Sequence, residues 1–557
     1  MSLTTKPPML IVGGGPTGLV LALTFLKNDI PVRIIDKSLE FQRGIRGTAL
    51  QPRTLELFKF LGIIDDIVAV SDTPLLMAMH GSDGQIAKVV KWAEAAETRP
   101  EIPLPDQRFS SQAELERILR AHIAKFGVSV EHGVELTGIE QNDAGVTTQL
   151  IRAGIEESFE CQYVVGADGA RGIVRKLLEL PFIGKSIEGD RMLTANIKAD
   201  FSREYWHMWG TFATSAVGLK PIEPDLYQLQ LLGPNIPKVL PLDHAGIQAL
   251  FNSIAGRSDI KFESVECASE WRANIRMTKA FNVGRVFLAG DSAHCHSPAG
   301  GQGANTAMQD SVNLGWKLCL VLKGLAPPSL LDSYALERMP VVAEMLDLST
   351  ELHSLAYPRI SSSSLGQEET DKPEDNVMYR PAWSLQLGIN YRWSPIVLDE
   401  RDGHDNNSAS ETAPINPYGK GARKIHAGDR APDAPQLMDG LMTMTLFDLF
   451  SVRRHTVLVF PGAAGVAEIQ HDAASLYEYR SSGVIGLFLV VQPADTQFEN
   501  LLLQCDGILV DTAGHAVQGY DVALGAKTFV VVRPDGVIGA YTLGAEGVRR
   551  YLSVILL

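Results

Sequence analysis

The stretch MLIVGGGPTGLVLALTFLKNDIPVRIIDKS, residues 9–38, constrains this chain more than any other. A short apolar run of strand length meets three glycines. An apolar segment of helix length follows, and then a second β-branched run that ends in Asp36. Gly13, Gly15 and Gly18 have the G-x-G-x-x-G spacing, with Pro16 and Thr17 between the last two. Gly13 permits a tight turn, Gly15 lets the backbone approach a pyrophosphate, and Gly18 lets helix and strand pack closely. Asp36 lies 18 residues past Gly18, near the place for an acid that bonds a ribose hydroxyl, and Lys37 follows it. Strand, turn, helix and acid together predict a Rossmann-like dinucleotide site in an α/β domain. The pattern does not distinguish FAD from NAD.

Two later stretches repeat the theme of a buried strand ending in glycine and an acid. In YVVGADGARGIVRK the turn holds Asp168 and Gly169. In RVFLAGDSAHCHSPAGGQGANTAMQDSVNLGWKL, residues 285–318, a β-branched run stops at Gly290 and Asp291. After Pro298 come Gly300, Gly301 and Gly303, and small or apolar residues then recur at Ala304, Ala307, Met308, Ser311, Val312, Gly315 and Trp316. That spacing is helical, so the glycine turn opens a helix. Its free N–H groups and positive dipole end suit an anionic group or an electron-rich ring.

At 557 residues the chain is expected to form about three or four domains. Its net charge of -15 is spread without a basic run, so neither nucleic acid nor an anionic membrane is an expected partner. The apolar stretch near the N-terminus is broken by Gly13, Gly14, Gly15, Pro16 and Gly18, which argues against a membrane span. Five cysteines occur singly, with no C-x-x-C and no metal-ligand spacing. Buried free thiols in a reducing, cytoplasmic setting are the expectation.

In RGIRGTALQPRTLELFKFLGI, Arg46 and Arg53 flank a turn, a helix is expected from near Thr54, and arginines so placed ordinarily form a solvated face. The segment SSQAELERILRAHIAKFG reads as a helix with Ser111 and Glu114 as a capping box and Gln112 at its start. Residues 190–275 carry period-two runs and Trp206, His207, Trp209, Tyr227 and Trp271, which predicts an antiparallel sheet whose aromatics wall an apolar cavity. From about Gly440 the runs HTVLVFPG, GLFLVVQ, DGILVD and AKTFVVVRPDGVIGAY predict a further α/β domain. The expected division is 1–75, 106–188 and 276–355 for cofactor, 76–105 and 189–275 for substrate, 356–437 as linker and loops, and 438–557 as the last domain.

The combination GGGPTG, GADG and GDSAHCHSPAGGQG resembles the group A flavin-dependent monooxygenases, in particular the branch with phenol hydroxylase and fungal and polyketide aromatic hydroxylases. The resemblance implies that Asp36 meets the adenosine ribose of FAD and Asp291 its ribityl chain. It implies that Pro298, Gly301, Gly303, Ala304 and Asn305 lie by the isoalloxazine ring, with Arg46 and Gln112 as flavin contacts. Asp168 belongs by resemblance to a motif linked to both FAD and NAD(P)H. The family usually has Ala where this chain has Ser292, and Ser where it has Gly172. The last domain is similar to the thioredoxin-like domain of the phenol hydroxylase branch, although without C-x-x-C dithiol chemistry is not expected there.

The implied reaction uses NADH or NADPH and O2 and hydroxylates a phenolic substrate through a flavin C4a-hydroperoxide. Alternatives are oxidative decarboxylation, dearomatisation or Baeyer-Villiger insertion, or a flavin reductase that transfers no oxygen. His207 and Tyr227 are the candidates for the base that ionises the phenol. A homodimer is the expected assembly.

Overall fold

The computed structural model describes residues 9–41, 49–91, 93, 96–296, 301–356, 380–401, 415–421, 424–501 and 503–557. Met9–Val12 is an inner strand of a six-stranded sheet, parallel to Val32–Asp36 on one side and to Val164–Gly166 on the other. Val286–Leu288 pairs parallel to Val164–Gly166 in turn. The three strands that precede the glycine and acid motifs are therefore consecutive neighbours. Their C-terminal ends open on one edge, where ligands bind in sheets of this kind. These strands are continuous apolar runs because the sheet is covered on both faces.

The Pro16–Lys27 helix is buried on all sides from residue 18 to residue 26. It packs on the Gly303–Leu322 helix so closely that a Cβ at Gly315 would lie 2.8 Å from Thr24 Cγ2. The helix predicted near Thr54 runs Pro52–Phe60, with proline in the first turn where its missing N–H costs nothing. Gln112–Ala124 is helical, and the Ser111 hydroxyl accepts from Glu114 N at 3.1 Å, as the cap predicts.

The predicted second sheet has eight strands, antiparallel except where Trp206–Gly210 runs parallel to Met77–His80. The helix His244–Ala255 covers one face, where Trp209, Leu219, Tyr227, Leu229 and Phe251 form a core. On the other face Met77, Trp206 and Met208 cluster with Phe109 of the short Arg108–Phe109 strand.

The last domain carries an eight-stranded mixed sheet in which His455–Phe460, Ile485–Val491 and Gly507–Asp511 are parallel and Thr528–Val532 is antiparallel. The expectation of a linker over 356–437 needs correction for its described parts. Ser384, Leu385 and Gln386 are buried, Leu398–Asp399 pairs with Ile538–Thr542, and Leu437–Asp439 joins the same sheet. The Ser-rich run 358–376 lies outside the described residues. No helix among the described residues is long and apolar enough to cross a membrane.

Candidate cofactor and substrate site

The first glycine turn behaves as its spacing predicts. Gly13 has φ +118, and a Cβ there would lie 2.2 Å from Ala167 O; at Gly18 it would lie 2.0 Å from Gly13 O. Neither position admits a side chain. Gly15, by contrast, faces open space at the N-terminus of the Pro16–Lys27 helix, so the turn presents its backbone to a phosphate. Asp36 accepts from Gly14 N at 2.8 Å and from Ser38 N at 2.8 Å, which ties the acid to the turn it serves. A carboxylate has about four lone-pair sites, so capacity for a ribose hydroxyl remains. Lys37 is exposed beside it.

At the second strand end, Asp168 Oδ2 accepts from Ile173 N at 2.6 Å and Val174 N at 3.0 Å, capping the short Val174–Leu177 helix. Its Oδ1 is buried without a hydrogen-bond partner among the described residues, and burial pushes the carboxyl up. A Cβ at Gly172 would meet that Oδ1 at 2.1 Å, which explains glycine where the resembling family usually has serine. At the third strand end the Ser292 hydroxyl lies 2.5 Å from Gly166 O, so this second departure joins two motif-bearing strands. Asp291 is exposed at the same edge.

The turn before the Gly303–Leu322 helix is held from below. Asn305 accepts from Gln51 N at 2.8 Å and donates to Ala49 O and Gly301 O, both at 2.9 Å. Gln302 donates to Ser384 O at 2.9 Å and accepts from Gln386 at 2.8 Å, while Gln309 reaches Gln386 at 2.6 Å. Asp310 accepts from Gly290 N, His294 and Arg338, all fully buried. Burial alone would raise its carboxyl, but Arg338 and His294 outweigh that and hold it below the usual range. Sequence reasoning missed this support. Its signal is the polar series Gln309, Asp310, Asn313 and Lys317 at helical spacing within an apolar helix.

Pro16, Ala49, Ser111, Gln112, Leu115 and Ala304 line a small open cleft between these elements. Gln112 therefore faces the site, although its amide also donates to the buried Glu116 at 2.7 Å. The open approach at Gly15, the orphaned Asp168 oxygen and this cleft fit a dinucleotide laid across the three strand ends. Thr17 and Ser311 close the floor, the Ser311 hydroxyl donating to Thr17 O at 2.8 Å. Arg46 and Pro298 lie outside the described residues.

Two expectations fail on geometry. His207 and Tyr227 project to the helix-covered face of the second sheet, away from the glycine turn. The Tyr227 hydroxyl donates to Phe201 O at 2.5 Å, and His207 Nδ1 lies 2.9 Å from His80 Nε2 beside Trp209. Burial, aided by His80, lowers the His207 imidazole to about 4. Arg53 is not a solvated face either: it is 4% exposed, pairs with Glu56, and donates to Asp535 O at 2.7 Å.

Residues 6–349 match the family described as "FAD binding domain". A flavin-dependent monooxygenase of Mycobacteroides abscessus is 32% identical over 558 residues, covering 98% of this chain and all of that one. Pentachlorophenol 4-monooxygenase of Sphingobium chlorophenolicum is 28% identical, covering 83% of this chain and 81% of its own. Among solved structures, aklavinone-11 hydroxylase in complex with FAD and aklavinone shares the fold at a TM-score of 0.78 and 24% identity, with 98% of each chain covered. The chain belongs to the FAD binding domain family and is a flavin-dependent aromatic monooxygenase.

Proposed function

We propose that the protein hydroxylates a phenolic aromatic compound, with FAD held across the three strand ends, NADPH or NADH as reductant and O2 as co-substrate. The observation that carries this reading is the juxtaposition of the Gly301 turn with the face of the second sheet opposite the His244–Ala255 helix. Ala49 bonds Asn305 and pairs with Phe109, and Phe109 packs with Met77, Trp206 and Met208. A planar ring placed between the turn and this face would be walled by apolar side chains.

FAD, when bound, supplies electron storage and activation of oxygen. The chain itself does the rest. The N-terminus of the Gly303–Leu322 helix favours negative charge on the ring above it. The Asn305 bonds fix that turn against the substrate wall. The apolar face excludes water that would divert the reducing power. The substrate names of relatives support a phenolic class: pentachlorophenol in one, 6-methylpretetramide in another that is 34% identical over 416 residues.

The test is NADPH or NADH consumption by the FAD-loaded protein, stimulated by a panel of phenols under labelled O2. One labelled oxygen in a product that keeps its other substituents supports hydroxylation. Consumption with no label in any product refutes it and favours a reductase. Loss of a carboxylate or ring carbon moves the assignment to decarboxylation or ring insertion.

A further inference from the structure

Gln386 ends the short Ala382–Leu385 turn in the left-handed region, at φ +64, and is fully buried. A residue other than glycine carries a cost in that conformation, so the surrounding structure must hold it there. What holds it is its side chain. The Ser384 carbonyl can only accept, so Gln302 presents Nε2 to it, at 2.9 Å, and turns Oε1 toward Gln386. Gln386 therefore presents Nε2, which donates to Gln302 Oε1 at 2.8 Å and to Thr306 Oγ1 at 3.2 Å. Its Oε1 is left to accept from Gln309 Nε2 at 2.6 Å. Gln302, Thr306 and Gln309 follow one another at helical spacing, so one amide binds one face of the Gly303–Leu322 helix from its N-cap into its second turn.

We propose that Gln386 is a positioning residue for the flavin. Through Gln302 and Thr306 it fixes how the first turn of the Gly303–Leu322 helix meets the ring. It thereby sets how strongly that helix end stabilises negative charge on the ring when FAD is reduced. The proposal rests on that part of the reading above which lays the ring over the Gly301 turn.

The surroundings suit this role. Asn305 grips the same turn from another side, through Gln51 N, Ala49 O and Gly301 O. The segment that carries Gln386 is itself anchored. The Tyr391 hydroxyl accepts from Arg338 at 2.8 Å, Ser394 donates to Glu337 at 2.7 Å, and Leu398–Asp399 pairs with Ile538–Thr542 of the last domain. The turn is thus clamped between two elements that are each fixed elsewhere, and a shift in either is passed to the helix end. Gln302, Thr306, Gln309 and Gln386 are buried and neutral. Such a clamp adds no charge of its own; what it supplies is the placement of the helix end.

The test measures the two-electron midpoint potential and the visible spectrum of bound FAD, without oxygen or substrate, in wild type, Q386M, Q386N and N305A. Methionine keeps the volume and backbone cost of glutamine without its hydrogen bonds, and asparagine keeps the amide one methylene short. Both are expected to shift the flavin absorption band and to favour the oxidised form by about tenfold, about 30 mV lower for a two-electron couple. N305A, which loosens the turn from its other side, should move both readouts as well. Q386M should also melt at a lower temperature, because it leaves buried amides unpaired, so melting alone decides nothing. A lowered melting temperature with the potential and spectrum of the wild type overturns the proposal and leaves Gln386 a packing residue. If N305A too leaves both unmoved, the ring does not lie over this turn, and that placement falls together with the proposal. Should Q386M fail to retain FAD, Q386N is read by the same criteria. Failure of the wild type to incorporate labelled oxygen would sink the hydroxylase reading separately, since neither readout here involves oxygen.

Discussion

The chain buries titratable side chains in two different ways. Along the Gly303–Leu322 helix every buried charge has a partner. Arg338 donates to Asp310 at 2.7 Å and to the Tyr391 hydroxyl at 2.8 Å. Glu337 receives Arg533 at 2.7 and 2.9 Å, Lys317 at 2.7 Å and Asn313 at 2.7 Å. Arg533 belongs to the turn after Thr528–Val532 and reaches Glu337 of the Asp332–Ala356 helix, while Asp535 of the same turn accepts from Asn313 and Trp316 of the Gly303–Leu322 helix, so the last domain locks onto both helices. In contrast, His455 sits fully buried against Trp316 and Tyr551, and neither ring nitrogen has a hydrogen-bond partner among the described groups. Burial, with Arg533 nearby, lowers its imidazole to about 3. Where partners converge, the protein keeps ions in its interior; where they do not, it keeps the neutral form.

The contrast can be broken at its strongest point. Arg338→Met removes one member of a fully buried set and leaves Asp310 uncompensated, which should cost about 3–5 kcal/mol. Thermal unfolding should report that loss, and FAD should dissociate more readily because Asp310 also anchors Gly290 and His294. An unchanged melting temperature would show that the lattice is ornamental to stability.

The neutral imidazole gives a pH signature of opposite origin. His455 binds no proton in the folded state until about pH 3, whereas in the unfolded chain it protonates near its ordinary 6.5. The unfolded state therefore binds more protons as pH falls through this window, and stability is lost from about pH 6.5 downward. His455→Phe should flatten that acid limb, by roughly 2–3 kcal/mol at pH 4. An acid limb identical to that of the wild type in denaturant titrations would contradict the neutral assignment.

The smallest effect is expected on the helix-covered face of the second sheet. Tyr227→Phe loses one hydrogen bond, worth about 1 kcal/mol, and should leave the pH dependence of substrate-stimulated NAD(P)H consumption unmoved. A shifted limb in that profile would return Tyr227 to the list of bases.

The cofactor side of this protein was readable before its structure because each part is local. Gly13, Gly15, Gly18 and Asp36 lie within one strand, turn, helix and strand, and the geometry at Gly13 and Gly18 leaves no room for another residue. The two later motifs were recognisable for the same reason, and their strands prove to be neighbours. The substrate side was not readable in this way. REYWHMWG offers Trp206, His207, Met208 and Trp209 in succession, and period two guarantees only that alternate residues share a face. Pairing with Ala216–Glu223 decides that Trp206 and Met208 cluster with Phe109 while His207 and Trp209 face the helix-covered side.

By itself, then, the sequence determined the three nucleotide-facing turns and the kind of cofactor they suit, because those contacts are made by backbone within a few residues of each glycine. Only the tertiary structure decided which residues of the second sheet share a face with Phe109 and what supports the Gly301 turn. It also decided that Arg53 and Arg533 are internal ties between domains. The physical reason is distance along the chain: Gln51 meets Asn305 across 254 positions and Arg53 meets Asp535 across 482. Such partners are chosen by packing and strand register, which no local pattern records.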